Sequence, residues 1–338
     1  MKFKKKAIVF MLVLALTVCF VLPVGAVYVV VDGKMYPFDE TENLSTNVTV
    51  SPDSETVITR NPDGTITEKT YDFSSILLTA THTEAYIPNN NTYSLTSNEG
   101  DEYGRYRASS PDDRIGRVYV EFDYDKNGTI DKAFYGTGTL IGEDLLLSCA
   151  HLVWKKHFET EVCEGWASSI VFQAGFDAGF YEVQVTCHSP SISMGYVNNT
   201  NVYIDDTGEK NSSVDANYDW SLIRTSQSIG TQVGWFGVQI CNGTEIGLSV
   251  ETIGYPSDKS PRRQWISPGA ITNFIQANIM QYSSYVVPGN SGGPVLDNEN
   301  IIGIHSVSFS DSTGAFICAG AMRIDSGFFA IINSELAE

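Results

Sequence analysis

A serine enclosed by glycines constrains this chain more than any other sequence feature. Ser291 lies in the hexapeptide Gly289–Pro294, which reads Gly-Asn-Ser-Gly-Gly-Pro. Glycine adopts positive φ without steric cost, so this segment can turn sharply and bring successive backbone N–H groups to one side. The turn would expose the serine hydroxyl as a nucleophile and let the amides of Gly289 and Ser291 form an oxyanion hole. A tight glycine-rich turn without catalytic function is the structural alternative.

Two apolar segments upstream each carry one further candidate side chain. Residues 139–148 read as two strands around a Gly-Glu-Asp turn, and His151 follows at the strand end. Asp219 stands at the mouth of the apolar run 220–223. Taken singly, they can be a satisfied core histidine and a capping aspartate. Together with Ser291 they predict a catalytic triad, because the hydroxyl needs an imidazole to take its proton and the imidazole needs a carboxylate to fix its tautomer.

The order His151, Asp219, Ser291 and its local contexts resemble the chymotrypsin-like serine peptidases. From about Arg107 to its end the chain is similar to the bacterial glutamyl endopeptidases of that superfamily. The resemblance rests further on Asp112–Arg114, Tyr218–Trp220, Val233–Gly237, Gly254–Pro256 and Met280–Tyr282. It implies an all-β fold of two packed six-stranded antiparallel β-barrels with a C-terminal helix. It also implies a serine endopeptidase that needs no cofactor and no metal.

The same resemblance implies that the strand predicted after Ser291, residues 301–308, forms one wall of the specificity pocket. Its backbone would be exposed and pair with an extended substrate. The resemblance implies that His305 contacts the substrate's acidic side chain, because a histidine can supply a proton or a positive charge near neutral pH. The relatives have a threonine five positions before the serine, where this chain has a valine that cannot donate a hydrogen bond. The predicted substrate-binding residues are Val286, His305, Ser306, Val307 and Ser308.

Three functions follow from these residues. The first is an endopeptidase that prefers Glu, or Asp, at the cleaved bond. The second keeps the triad but has a broader or different preference, because Val286 removes one pocket contact. The third is an exported, non-catalytic binding module built on a peptidase fold.

The N-terminal residues are typical of export. Lysines at positions 2 and 4–6 precede an apolar run over 7–22, and Val24–Ala26 offers small residues for cleavage after Ala26. Residues 1–26 are therefore predicted to be a signal peptide, and the mature protein is predicted to be secreted without a membrane segment.

Residues 27–107 form a polar stretch rich in Thr, Ser and Asn that matches no catalytic motif. We predict a propeptide that assists folding or blocks the active site, with an accessory surface domain as the alternative. It contains one hairpin pattern around Asn61–Gly64. Arg105 and Arg107 are the candidate processing positions at its end.

The remaining residues, 108–338, suit one peptidase domain. Barrel 1 is predicted over about 112–226 and barrel 2 over about 231–338. The cut between the barrels is expected near Ser226 to Thr231. A C-terminal helix is predicted from about Ser326, with that serine as its N-cap.

The charge of the chain excludes some classes of partner. The chain has 21 basic and 40 acidic side chains and a net charge of −19, which argues against nucleic acid and anionic membranes as partners. We predict a monomer that acts on polypeptides.

Beyond Cys19 in the signal segment, five cysteines remain, so at least one cannot pair within the chain: Cys149, Cys163, Cys187, Cys241 and Cys318. Cys149 fits a buried strand better than a nucleophile's position.

A separate acidic segment, Asp123–Asp131, follows the first nine positions of a calcium-binding loop, with glycine at the sixth. The twelfth position, which should carry a bidentate acid, is Phe134. Flanking strands at Val118–Phe122 and Ala133–Leu140 favour a plain hairpin with an Asn-Gly turn at its tip. Both readings stay open from the sequence.

Overall fold

A computed structural model of the chain describes residues 27–31, 34–38, 53–75, 78, 80–88, 99–155, 165–199, 201–204, 210–213, 216–276 and 278–338. The predicted signal peptide and Cys163 lie outside these residues. In the described part of the chain, no helix combines the length and the apolar character that crossing a membrane requires.

The described strands fall into three groups along the chain. The first group is β1 Val27–Val31, β2 Lys34–Phe38, β3 Ser54–Arg60, β4 Ile66–Asp72 and β5 Tyr106–Arg107. The second is β6 Ile115–Phe122, β7 Lys132–Leu140, β8 Leu145–Ser148, β9 Trp154–Lys155, β10 Gly165–Trp166, β11 Ser169–Ala174, β12 Val183–Ser193, β13 Asn201–Ile204, β14 Lys210–Ser213 and β15 Ser221–Thr225. The third is β16 Gly237–Val238, β17 Ser249–Gly254, β18 Trp265–Ile275, β19 Ile279–Tyr282, β20 Pro294–Asp297, β21 Asn300–Ser310 and β22 Phe316–Arg323.

The described α-helices are short except for the last one. They are α1 Ala150–Val153, α2 Met194–Asn199, α3 Gly230–Val233 and α4 Ser326–Leu336, and 3₁₀ turns cover Phe73–Ser75 and Ala216–Tyr218.

Two six-stranded antiparallel barrels form the body of the protein. Barrel 1 runs in the order β11-β6-β7-β8-β15-β12 and closes by pairing β11 with β12. Barrel 2 runs β21-β20-β17-β18-β19-β22 and closes by pairing β21 with β22. Alternate side chains point into each barrel, as in β6, where inward residues are buried and outward ones half-buried. The predicted all-β class with two six-stranded barrels and a C-terminal helix is confirmed.

Besides the apolar cluster inside each barrel, one apolar core is shared between the two barrels. Ile115 and Leu147 of barrel 1 belong to the same buried cluster as Ile253 of barrel 2 and Phe328 of α4. The Phe328 ring lies 4.5 Å from the Trp220 ring, centroid to centroid. The C-terminal helix therefore seals the seam between the barrels, which keeps their facing surfaces in one relative position.

The cap of this helix differs from the prediction. Helix α4 begins at Ser326, but the N-cap is Asp325, whose Oδ1 accepts a hydrogen bond of 2.8 Å from the Phe328 amide. The prediction that Ser326 is the N-cap is wrong by one residue. A carboxylate satisfies the same unpaired amide and also interacts favourably with the positive end of the helix dipole.

The predicted hairpin around Asn61–Gly64 is confirmed as the pair β3–β4. Strand β3 extends barrel 1 by pairing with β12, and Val57 and Tyr71 enter the shared core. The Tyr71 hydroxyl donates to Glu335 on α4 over 2.8 Å. This part of the predicted propeptide therefore packs as an integral layer of the described structure. Its removal in a mature enzyme stays a prediction.

The two candidate processing positions differ in accessibility. The Arg105 guanidinium is buried and lies 2.7 Å from Asp101 and 2.5 Å from Asp258. The Arg107 side chain is 28% exposed and pairs with Glu99. A processing protease would reach Arg107 more readily.

The acidic segment Asp123–Asp131 is the tip of the β6–β7 hairpin, as the plain-hairpin reading predicts. Its carboxylates accept backbone hydrogen bonds within the loop, from Gly128 to Asp123 at 2.8 Å and from Tyr124 to Asp131 at 2.6 Å. The carboxylates of Asp123, Asp125 and Asp131 lie within 4.8 Å of one another. Calcium binding at this loop stays a prediction.

Candidate active site

His151 and Asp219 form a buried pair in barrel 1. The His151 Nδ1 atom lies 2.7 Å from one oxygen of Asp219, and the His151 backbone N–H donates to the other oxygen over 2.9 Å. The two contacts hold the ring by its Nδ1 side and leave Nε2 directed away from the carboxylate. The pairing that the sequence predicted is therefore present.

Local folding explains why these two residues meet. Strand β8 pairs with β15 so that its last residue, Ser148, stands opposite the first residue of β15, Ser221. His151 follows the end of β8 and Asp219 precedes the start of β15, so both lie at the same end of this strand pair. His151 lies inside the single turn of α1 and not at the strand end that the sequence predicted. Asp219 directly follows the 3₁₀ turn Ala216–Tyr218 and lies two residues before the start of β15.

Asp219 has a third donor, which comes from the other barrel. The Ser306 hydroxyl on β21 donates to the same carboxylate oxygen that contacts His151 Nδ1. A fully buried carboxylate requires several donors to offset its loss of hydration, and Asp219 has three. The sequence predicted Ser306 only as a backbone partner for substrate. Because this contact depends on how the barrels dock, no sequence spacing could have revealed it.

Cys149 adds a second contact to the imidazole. Its Sγ lies 3.5 Å from His151 Nε2, and the side chain is buried as predicted. Thiols are weak hydrogen-bonding groups, so this contact is weaker than the one to Asp219. Cys149, Cys187, Cys241 and Cys318 are thiols in the described part of the chain.

Ser291 sits in the turn between β19 and β20, where two glycines have positive φ. Gly289 has φ +97° and Gly292 has φ +82°. A Cβ atom on Gly292 would overlap the Thr137 carbonyl oxygen and the Ser148 hydroxyl of barrel 1. Thr137 also donates its N–H to the Ser291 carbonyl oxygen over 2.8 Å. The turn is thus pressed against barrel 1, and only glycine fits there.

The turn that carries Ser291, residues 289–292, is called the nucleophile turn below. This turn and helix α1, which carries His151, both approach one residue, Gly136 of β7. A Cβ atom there would overlap the Leu152 side chain of α1 and lie 2.8 Å from the Ser291 carbonyl oxygen. His151 adjoins Leu152 in the chain. The structure therefore places the turn that carries Ser291 close to α1, which carries His151, at the seam between the barrels.

Two peptide planes in the turn have their carbonyl groups held in place. The Pro288 oxygen accepts from Ser257 N–H over 2.7 Å, and the Asn290 oxygen accepts from Gly293 N–H over 2.8 Å. In a trans peptide the N–H points opposite to the C=O, so these contacts set the directions of the Gly289 and Ser291 amides. Neither amide donates a hydrogen bond to another described residue. Two oriented donors without a protein acceptor are what an oxyanion hole needs.

His305 lies buried on β21, near His151 and Asp219. Its Nδ1 is 2.8 Å from the Tyr282 hydroxyl on β19. Burial, together with the nearby His151, lowers the pKa of His305 to about 3. The side chain is therefore neutral at neutral pH, whereas the sequence reading allowed it a positive charge. The imidazole also hydrogen-bonds to the Gly320 backbone, a contact that favours its protonated form but does not offset the effect of burial.

The other predicted pocket residues have different environments. Val286 and Val307 are both buried, and Val286 packs in the core of barrel 2 with Val250 and Val295. Ser308 is half-buried. It pairs with Ala319 of β22 and also with Val30 of β1. The backbone that the sequence predicted to be exposed is therefore already paired at Ser308.

Three comparisons relate this geometry to known proteins. A model of the trypsin-like peptidase domain matches residues 136–304, which is half of the chain. Glutamyl endopeptidase from Staphylococcus aureus strain MW2 is 24% identical over 225 residues, which cover 66% of this chain and 57% of that protein. The protein of strain MRSA252 is 25% identical over 220 residues, covering 65% and 51%. The chain thus matches a little over half the length of these curated relatives.

Solved structures show the same fold. A Glu endopeptidase in complex with MPD superimposes with a TM-score of 0.54 at 22% identity, covering 72% of this chain and all of the other. The protease Anisep from Arthrobacter nicotinovorans has a TM-score of 0.52 at 16% identity, covering 69% and 99%. With the matched domain model, the two barrels and the residues gathered at their seam, the chain belongs to the trypsin-like peptidase domain family.

Proposed function

We propose that this protein is a secreted serine endopeptidase that cleaves peptide bonds after acidic residues, with Glu preferred. The observation that carries the proposal is the buried His151–Asp219 pair beside a serine turn whose two amides are oriented by their neighbours. Membership of the trypsin-like peptidase domain family supports it, and so do relatives that bear the name glutamyl endopeptidase.

In the proposed reaction Ser291 Oγ attacks the carbonyl carbon of the substrate while His151 Nε2 takes the hydroxyl proton. The imidazolium that forms is stabilised by Asp219, which the Ser306 hydroxyl holds in position. The negative charge that develops on the carbonyl oxygen is accepted by the amides of Gly289 and Ser291. His151 then returns the proton to the leaving amine, and a water molecule hydrolyses the acyl-enzyme by the same path.

The acidic preference would come from His305. A substrate carboxylate that replaces the Gly320 backbone as partner of the His305 ring would accept the ring N–H, and a neutral imidazole can donate this proton without a formal charge. A bound carboxylate would raise the pKa of this histidine, because an opposite charge favours the charged form. Binding would then be coupled to proton uptake.

A second candidate is the same peptidase with a broader preference. The observation in its favour is the position of Val286, which packs in the core of barrel 2 and adds no hydrogen-bond donor to the pocket. A pocket with one donor for a carboxylate discriminates Glu from Gln less than a pocket with two.

Cleavage of a mixed peptide library tests both candidates. The processed protein, its Ser291→Ala variant and its His305→Asn variant are compared, and the residue before each cut is identified. We expect cuts after Glu that Ser291→Ala abolishes and that His305→Asn redistributes. Cuts spread over other residues in the parent protein would support the broader candidate. Processed protein that neither cuts nor reacts with a serine-directed phosphonate would refute the peptidase and favour a binding module.

A further inference from the structure

One edge of strand β21 is divided between two other segments, β20 and β1. Strand β22 pairs with β21 along one side, from Gly303 to Ser310. On the opposite side β20 pairs with residues Asn300 to Ile304, and β1 pairs with Ser308 to Ser310. Residues 305–307, which carry the triad contact and the candidate specificity histidine, lie between these two partners.

Strand β1 therefore lies on the edge that also binds the nucleophile turn. The Gly292 N–H donates to the His305 carbonyl oxygen, and the His305 N–H donates to the Gly293 carbonyl oxygen, each over 2.8 Å. These bonds tie the turn to β21 just beyond the segment that pairs with β1. This is the edge that the sequence assigned to an extended substrate.

The direction of β1 matches that of a substrate. Its register is antiparallel, with Tyr28 opposite Ser310 and Val30 opposite Ser308. The chain thus runs from Val27 to Val31 toward His305 and the nucleophile turn. An extended peptide in this direction presents residues that precede the cleaved bond, and in the sequence the residue after Val31 is Asp32, an acidic one.

We propose that β1 is a built-in, substrate-like strand that occupies the part of the active site N-terminal to the cleaved bond and so competes with substrates. This rests on the proposed function and specifies its regulation. Strand β2 supports an inhibitory outcome, because Val31 pairs with Lys34 and the connection is only two residues long. A chain that reverses there cannot extend across the nucleophile as a cleavable substrate does.

The burial of the site fits an occupied state. His151 is 1% exposed, His305 is 3% exposed and Ser291 is 6% exposed. A strand within the same chain needs only weak intrinsic affinity, because a short tether gives an effective concentration of about 1 mM. A dissociation constant of roughly 0.1 mM for the isolated peptide would keep the site about ten to one occupied.

Peptide binding tests the proposal without requiring catalysis. A chain that begins at Ser54 keeps β3 and β4 but lacks β1, and the Ser291→Ala substitution in it prevents turnover. Fluorescence anisotropy with a labelled peptide of sequence 27–38 should show binding to this chain and at least tenfold weaker binding to the chain that begins at Val27. A peptide ending in Glu should displace the label. A peptide carrying Val30→Pro, which removes a ladder N–H, is the matched control and should not bind.

Equal binding of the peptide to both chains, or binding that the Glu-ending peptide does not displace, would overturn the proposal. With active Ser291, the shorter chain should cleave a Glu-containing peptide with a KM at least about tenfold lower, in line with the tethered competition. If neither chain cleaves, the proposed function fails, while the anisotropy result still decides whether β1 occupies the edge. If the shorter chain does not fold, Val30→Pro in the chain from Val27 replaces it, and an unchanged KM would then refute the proposal.

Discussion

The two barrels build their halves of the candidate active site by different means. Barrel 1 relies on side chains: the His151 imidazole and the Asp219 carboxylate are buried together and bonded to each other. Barrel 2 relies on the backbone: Ser291 is positioned by glycines at positive φ and by carbonyl groups that neighbouring amides hold. The first half should be sensitive to changes of charge and tautomer, and the second to any added side-chain atom.

Ser306 is the exception that joins the two halves. It lies on a barrel 2 strand, yet its hydroxyl completes the donor set of the barrel 1 carboxylate. The halves are therefore coupled through a single side chain as well as through the shared apolar core.

Ser291→Ala should lower kcat by about 10⁶-fold, because it removes the nucleophile and leaves only binding and the oxyanion hole. Hydrolysis of a Glu-containing peptide measures the loss. Cys149→Ala is the control: it removes the sulfur beside His151 Nε2 and should keep activity within about tenfold of the parent, since the net worth of a weak hydrogen bond is near 1 kcal/mol. Loss of activity with Cys149→Ala and its retention with Ser291→Ala would identify a thiol nucleophile instead.

Asp219→Asn should lower kcat by about 10⁴-fold, because an amide at this position favours the wrong imidazole tautomer. This tests the side-chain mechanism of barrel 1 directly. Ser306→Ala keeps the carboxylate but removes one of its three donors, and it should cost about 2 kcal/mol in transition-state stabilisation. If Asp219→Asn and Ser306→Ala lowered kcat by the same factor, Asp219 would contribute only to packing of the core and not to the choice of the imidazole tautomer.

Gly292→Ala tests the backbone mechanism of barrel 2. The new Cβ would overlap atoms of Thr137 and Ser148, and φ is +82°, so unfolding should become easier by about 3 kcal/mol or more. Gly128→Ala is matched to it in φ, at +86°, but would meet no atom within 4 Å. Only the conformational cost of about 1 to 2 kcal/mol applies there. Urea titration measures both, and equal losses would show that close approach to barrel 1 is unimportant.

His305→Asn should reduce the preference for Glu over Gln substrates by about 100-fold, because the charge-assisted contact to the substrate is lost. Tyr282→Phe should weaken the same preference less and shift the pH dependence of KM, since the hydroxyl that contacts His305 Nδ1 is removed. The ratio of kcat/KM for paired Glu and Gln peptides is the measurement. A change in kcat alone would indicate a structural role for both residues.

Glu55 should make the docking of β3 pH-dependent. Burial raises its pKa from 4.5 to about 7, with Asp325 adding to the shift. The folded state therefore holds a proton that the unfolded chain releases near pH 4.5, and the free energy of unfolding should fall as the pH rises from 4.5 to 7. A change on the order of 2 kcal/mol is expected. Urea titrations at several pH values should show this slope for the parent and a smaller one for Glu55→Gln; identical slopes would contradict the assignment.

Much of this architecture could be predicted because local patterns carry it. The apolar segments around Gly142–Asp144 became β7 and β8, and the hairpin around Asn61–Gly64 became β3–β4. The choice of Asp325 over Ser326 as the cap could not be made from the sequence, because both residue types cap helices well. Only the path of the chain into the helix decides between them.

The candidate site divides in the same way. The order of His151, Asp219 and Ser291 and the need for glycine beside the serine were readable from residue types, because the chemistry of each role permits few side chains. The Ser306 hydroxyl on Asp219, the low pKa of His305 and its Tyr282 partner were not readable. Each arises from burial or from a contact between strands far apart in the chain, and no local spacing encodes such a contact.

Residue types and short spacings establish the chemistry that the chain can offer, because a serine in a glycine turn, a histidine and an aspartate are all readable from the sequence. Which of these groups meet depends on the docking of the barrels, through which β21 brings a hydroxyl to the buried carboxylate and pairs its free edge with β1. Such contacts depend on the relative placement of two closed sheets, which is set by the packing of their shared core and not by any single segment.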